Sequence, residues 1–150
     1  MTTALLIVHG LLAVALLGAI THQAASVLWP ATRPAGSFAG RFRAVAAPGY
    51  ANAVLILYVL TAILGAVIYS EYRISVRIVL EELHLNAANG SFELKEHLAA
   101  IGLGMLPAYW WSWRQPEARW RTPLTAILAF VVWWNFLVGH VLNNIRGFGS

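Results

Sequence analysis

"FELKEHLAAIGLGMLPAYWWSW", residues Phe92 to Trp113, opens on Glu93, Lys95, Glu96 and His97, then runs from Leu98 to Trp113 without a charge. Whether this stretch crosses a membrane decides between an odd and an even number of crossings. It therefore decides whether the two chain ends share a side. Its opening charges have two readings. They are a solvated collar where a helix leaves hydrocarbon, with the Glu residues favoured by the helix dipole, or part of a site.

The rest of the chain sets the context. Of its 150 residues, 59% are hydrophobic and 11% charged, whereas soluble domains carry about 25% charged residues. The chain reads as an integral membrane protein in contact with the lipid bilayer. The formal charge of +4 does not point to nucleic acid. The Arg residues flank apolar runs, where the topology rule accounts for them. The absence of Cys excludes disulfides, thiolate metal sites, iron–sulfur clusters and covalently attached c-type haem.

A crossing helix needs about 20 mostly apolar residues. Four stretches qualify: about 4–28, 51–70, 92–113 and 123–142. No Lys or Arg precedes the first apolar run, so it reads as a retained span rather than a signal peptide. Pro107 is expected to disturb the third span, and Asn135 sits near mid-depth in the fourth. Residues Trp29 to Gly49 hold Pro30, Pro34, Gly36, Gly40, Pro48 and Gly49 and read as an irregular loop. Residues Glu71 to Ser91 place Ile74, Ile78 and Leu85 on a rough helical stripe, which extends helix two or lies along the interface. "NAANGS" (86–91) is expected to break the chain, with Ser91 capping the third span. The expectation is an all-α membrane protein: one four-helix transmembrane domain over residues 1–150, with a short extramembrane or interfacial helical segment between helices two and three.

With four spans, the 29–49 and 114–122 loops share a side and carry Arg33, Arg41, Arg43, Arg114, Arg119 and Arg121 against the single Glu117. The other side holds Arg73, Arg77, Lys95 and Arg146 against Glu71, Glu81, Glu82, Glu93 and Glu96. The positive-inside rule makes the first side cytoplasmic. In a bacterial inner membrane both termini then face outward. Trp110, Trp111, Trp113 and Trp120 fall where an interfacial aromatic belt belongs.

Ionisable residues at or inside spans are costly and mark function. His9, His97 and His140 arrive from three spans near the same leaflet, while His22 lies toward the other. His9 and His22 are thirteen residues apart, about 20 Å along a helix, and cannot share a ligand. A di-haem cytochrome of the usual four-helix b type is not supported, and one cofactor is the most this set allows. His97, His140 and His9 are the candidate haem b ligands. With Glu93, one turn before His97, they form the candidate set for Fe, Cu or Zn. Glu93 also suits the role of fixing the His97 tautomer. His22, beside Thr21 and Gln23, suits helix–helix hydrogen bonding, and His84 reads as an ordinary surface residue. Trp133, Phe136 and His140 share a helical face that suits a haem or quinone pocket, with Asn143 or Asn144 one turn on.

The chain lacks a phosphate loop, a GxSxG elbow and HExxH. Every Glu lies at a span end or in a loop, which argues against a pump. In architecture alone the layout resembles small four-helix membrane subunits that carry b-type haem and exchange electrons with quinone. The expected function is a membrane redox subunit with one haem b, or metal, in the outer leaflet, working with protein partners in a complex or as a homo-oligomer. The alternatives are a cofactor-free accessory subunit and a His/Glu metal-dependent membrane enzyme. The orientation is checked by reporter fusion after Ser150: alkaline phosphatase there is active and a fluorescent protein dark, whereas cytoplasmic fluorescence reverses the assignment.

Overall fold

A computed structural model describes residues 3–30, 36–43 and 48–147. Arg33 and Pro34 of the expected loop, and the side chains of Arg43, Asn143, Asn144 and Arg146, lie outside this description. Among the described residues there is no strand. The elements are α1 (Thr3–Leu28), α2 (Phe38–Arg43), α3 (Pro48–Ser75), α4 (Arg77–Glu82), α5 (Asn86–Arg114) and α6 (Arg121–Gly147). Three of these helices, α1, α3 and α6, are long and apolar enough to cross a membrane, which marks a multi-pass membrane protein. By the same measure α5 falls short, because its uncharged run is diluted by Gly, Pro, Tyr and Trp.

The four long helices close a ring. Helix α1 packs on α3 and α6, and α5 packs on α3 and α6. The diagonals meet only through side chains. Each long helix turns a stripe inward and apolar side chains outward: Leu11 on α1, Ile63 on α3, Ile101 on α5 and Phe130 on α6 are all exposed. Such helices, apolar all round, belong in lipid. The inward stripe of α1 is His9, Leu16, Ile20 and Gln23, at the three-, four- and seven-residue spacing that keeps side chains on one face. It meets Ala51, Val54 and Tyr58 of α3, Leu106, Tyr109 and Trp113 of α5, and Leu128 and Val132 of α6.

One end of the ring is tied by polar side chains. Tyr109 donates from α5 to the buried Gln23 of α1, across the diagonal. Trp113 Nε1 donates to Thr125 Oγ1 of α6 at 3.1 Å, and Trp110 Nε1 to Asn52 Oδ1 of α3 at 2.9 Å. Arg121 closes the α5–α6 link, donating to the backbone carbonyls of Ser112, Gln115 and Pro116. Those carbonyls lie in the last turn of α5 and just past its end, where the helix itself offers no donors. The expected aromatic belt is therefore divided. Trp111 and Trp120 are exposed as a belt requires, whereas Trp113 is buried and pins two helices together.

Two boundaries differ from the sequence reading. The break expected at "NAANGS" falls earlier, and α5 already starts at Asn86. The turn is made by His84, whose φ of 54° is left-handed, a region in which His is enriched among non-Gly residues. His84 is thus a turn residue. Ser91 lies inside α5 and caps nothing, and the N-cap position is Leu85, without a side-chain cap. The 29–49 loop contains the short helix α2, which packs on α1. Of the 71–91 stretch, residues 71–75 continue α3 to Ser75, within the part long and apolar enough to cross a membrane, and α4 follows against α3 and α5. Helix α5 runs through Pro107. Asn135 satisfies its amide on its own helix, donating to the Val131 carbonyl at 2.8 Å.

Gly102 of α5 lies directly against the Tyr58 side chain of α3. A Cβ there would collide with the Tyr58 hydroxyl and lie 2.8 Å from Tyr58 Cζ and 3.0 Å from Val131 Cγ1. The clearance lets Tyr58 donate to the Ala99 carbonyl at 2.9 Å. Gly102→Ala is therefore expected to cost about 1–3 kcal/mol by overpacking. Tyr58→Phe, which removes the worst collision, should make the double variant less unstable than the sum of the two singles. Thermal unfolding in detergent reads both, and an unshifted Gly102→Ala would refute the close approach.

Candidate functional site

The end of the ring opposite the Trp113–Thr125 tie is where His9 begins its helix, α3 ends, α5 begins and α6 ends. His9 lies on the inward stripe of α1, half-buried, and its Nδ1 is fully enclosed with no hydrogen-bond partner. The ring faces α3. A Cβ on Gly65 would touch His9 Cε1 at 3.4 Å, and the backbone of Thr61 is within hydrogen-bonding range. From the diagonal helix α5, Lys95 stands within electrostatic range of His9. Lys95 is the sole lysine of the chain. Its Cε would meet a Cβ on Gly139 of α6 at 3.4 Å, and its Nζ lies 4.8 Å from the Phe92 ring centre. Two glycines on opposite helices thus make room for two basic side chains.

Glu96, next to Lys95, points about 100° further round the helix toward α3. There its carboxylate is within hydrogen-bonding range of the Tyr69 hydroxyl and within electrostatic range of Lys95. Phe92 stacks on Tyr72 at 3.6 Å between ring centres, and on Tyr69 at 6.0 Å. The Tyr72 hydroxyl is buried without a partner. Outside this aromatic wall, Arg77 of α4 bonds Glu81 at 2.7 Å and reaches Glu93 at 3.5 Å.

The residues expected to form a haem or metal site are placed as follows. His9 faces the interior. His97 is exposed, and its Nδ1 donates to the Glu93 backbone carbonyl at 2.8 Å, because a carbonyl can only accept. The i,i+4 spacing does bring His97 and Glu93 to one face, but the Glu93 carboxylate turns to Arg77. His97 follows Lys95 by two residues, about 200° around α5, so the two point to opposite sides. His140 is exposed and shares a face of α6 with Trp133, seven residues earlier. Trp133 donates to Thr21 of α1 at 3.0 Å, so His140 lies on the α1 side of α6, away from His97. Among the described residues, no three His, Asp or Glu side chains stand close enough to hold a metal ion.

Of the other histidines, His22 lies 6.1 Å from the Tyr50 ring, and its neighbours Thr21 and Gln23 make the cross-helix bonds. The sequence left Lys95 and Glu96 open between a solvated collar and a site, and neither was among the candidate ligands. A usable signal was present: Gly65 and Gly139 interrupt apolar spans at the depth of these side chains.

The chain matches no family model, no curated protein and no solved structure. The arrangement itself offers hydrogen-bond donors and an unpartnered imidazole nitrogen inside an apolar ring, chemistry suited to a small polar group on an otherwise apolar molecule.

The glycine clearance yields a direct check. Acylating reagents should modify Lys95 slowly in the intact protein. Gly139→Ala, whose Cβ makes ordinary contact, should leave the rate unchanged, whereas Gly139→Leu should raise it several-fold by expelling the side chain. Peptide mass spectrometry reads the rate without interference from a second lysine. Fast wild-type labelling would place Lys95 on the surface.

Proposed function

We propose that this chain is a small four-helix subunit of a bacterial inner-membrane redox complex, and that it binds the head of a membrane quinone between His9 and Lys95. The carrying observation is the enclosed His9 Nδ1 with no partner, with the one lysine within electrostatic range from the diagonal helix. A buried imidazole nitrogen left unbonded costs about 1–3 kcal/mol. A ligand that bonds it recovers that cost. A quinone head has two oxygens that accept in the oxidised form and donate in the reduced form. An ammonium donates to the first form, and an imidazole can donate or accept. The quinone supplies the electron chemistry when bound, and the protein's residues hold and orient it.

The fourth crossing belongs to the same proposal. Helix α5 closes the ring between α3 and α6 and carries exposed Ile101 and Leu103, side chains suited to lipid contact. Four crossings put both termini on one side, and the Arg-rich loops then place the His9 end outward.

The test is extraction of lipid-soluble quinone from protein purified in mild detergent. Quinone is expected with the wild type and should fall several-fold in His9→Phe and Lys95→Met, with His97→Ala and His140→Ala unaffected. Equal quinone in all variants, or none in the wild type, overturns the proposal. A Soret band lost in His97→Ala or His140→Ala would replace it with haem b. No quinone and no such band would leave the accessory-subunit role.

A further inference from the structure

Among the described residues, the ionisable groups around His9 are distributed on one side of it, the Tyr58 hydroxyl apart. Toward the Trp113 end, the next interior layers are Leu16 and Ile20 of α1, Val54 of α3, Leu106 of α5, and Leu128 and Val132 of α6, all buried. None of these side chains can carry a proton, and the Tyr58 hydroxyl among them is engaged by the Ala99 carbonyl. Toward the other end the layers are ionisable. Lys95 lies within range of His9. Glu96 lies within range of Lys95 and of the Tyr69 hydroxyl. Tyr72, one turn further along α3, has its hydroxyl buried and unpartnered, within electrostatic range of Glu96, Glu93 and Arg77. Glu93 is exposed and 3.5 Å from Arg77, itself bonded to the exposed Glu81. The stacked rings of Phe92, Tyr69 and Tyr72 form a wall along this series. On α6, Gly139 faces Lys95 and the nearest titratable residue is His140.

We infer that Lys95 and Glu96, with Tyr69 and Tyr72 beside them, form a one-sided proton route between His9 and the aqueous face at α4, closed at the other end by the apolar layer. In one passage the Glu96 carboxylate takes a proton from solvent at the Glu93 end, the Lys95 ammonium gives a proton to the neutral His9 ring, and the resulting amine takes the proton held on Glu96. Lys95 and Glu96 return to their starting states, one proton has moved inward and rests on the His9 imidazolium, and no redox partner is consumed. The reverse sequence releases a proton to the same face. The route deepens the quinone reading, because a quinone head at His9 gives up or takes protons as it changes state. Its geometry does not depend on that ligand.

The test is the exchange of the His9 ring N–H with water, measured by NMR saturation transfer on full-length protein carrying nitrogen-15 histidine in lipid nanodiscs. Wild-type His9 should exchange. Glu96→Gln and Lys95→Met should each slow it by roughly 100-fold, the lower end of what one positioned acid–base group contributes, and Glu96→Asp should restore most of the rate. Tyr109→Phe, at the closed end, should change nothing. The exposed His97 ring serves as the internal reference, since a variant that fails to fold alters it too. Wild-type exchange rates in Glu96→Gln and Lys95→Met with His97 unchanged would overturn the route. Bound quinone is quantified on the same samples. A wild type without quinone whose exchange is slowed by both variants overturns the ligand reading alone, and a wild type that holds quinone and loses it in Lys95→Met, with exchange unaffected by the variants, overturns the route alone.

Discussion

A polar side chain inside an apolar bundle must find its partner within the bundle, because hydrocarbon offers none. In this protein glycine makes that possible. Tyr58 reaches the Ala99 carbonyl only because Gly102 has no Cβ, which would otherwise collide with the Tyr58 hydroxyl. His9 lies against Gly65, and Lys95 against Gly139. In each case the glycine sits on a neighbouring helix; at Gly102 a Cβ would collide, while at Gly65 and Gly139 a Cβ would make ordinary contact and only a larger side chain would compete for the space. Close approach through small residues is a general feature of membrane helix packing, and here the space admits functional groups as well as backbones.

The two ends of the ring use polar residues differently. At the Trp113 end, Trp113 with Thr125, Trp110 with Asn52, and Tyr109 with Gln23 pair neutral donors with neutral acceptors across helices. Such pairs hold register without burying charge. At the His9 end the groups ionise, and they include an imidazole nitrogen and a tyrosine hydroxyl that are buried without partners. Neutral cross-helix bonds rigidify, although Gln23 Nε2 at that end is also buried without a partner. The ionisable groups and the neutral fastening are thus separated along the bundle axis, with the layer around Leu16, Ile20, Leu106 and Leu128 between them.

Helices α1, α3 and α6 were legible because hydropathy and length suffice for them, and α1 ends at Leu28 as its apolar run does. Interior and exterior were less legible. In a helix apolar all round, periodicity cannot show which face turns inward, so His97 and His140 looked equivalent to His9. Only packing separates them: the His9 stripe continues into Leu16, Ile20 and Gln23, while His97 falls about 200° from Lys95. The α5 start was misplaced because "NAANG" looks like a breaker. Asn and Gly are tolerated in a first helical turn, and the left-handed residue that makes the turn is His84, whose type gives only a weak signal.

The same geometry explains why Lys95 was easy to discount. A lysine near a helix start ordinarily extends its stem toward the surface and leaves its charge in water. Here the stem is lodged against Gly139, the ammonium rests on Phe92, and Glu96 stands between it and α3. A charge so placed faces inward as much as outward. With apolar layers below and carboxylates above, the field around His9 is asymmetric along the bundle axis. Any ligand or proton reaching His9 from water therefore meets its charged partners on the α4 side and none on the other, a directionality set by which residues line each end rather than by a moving part.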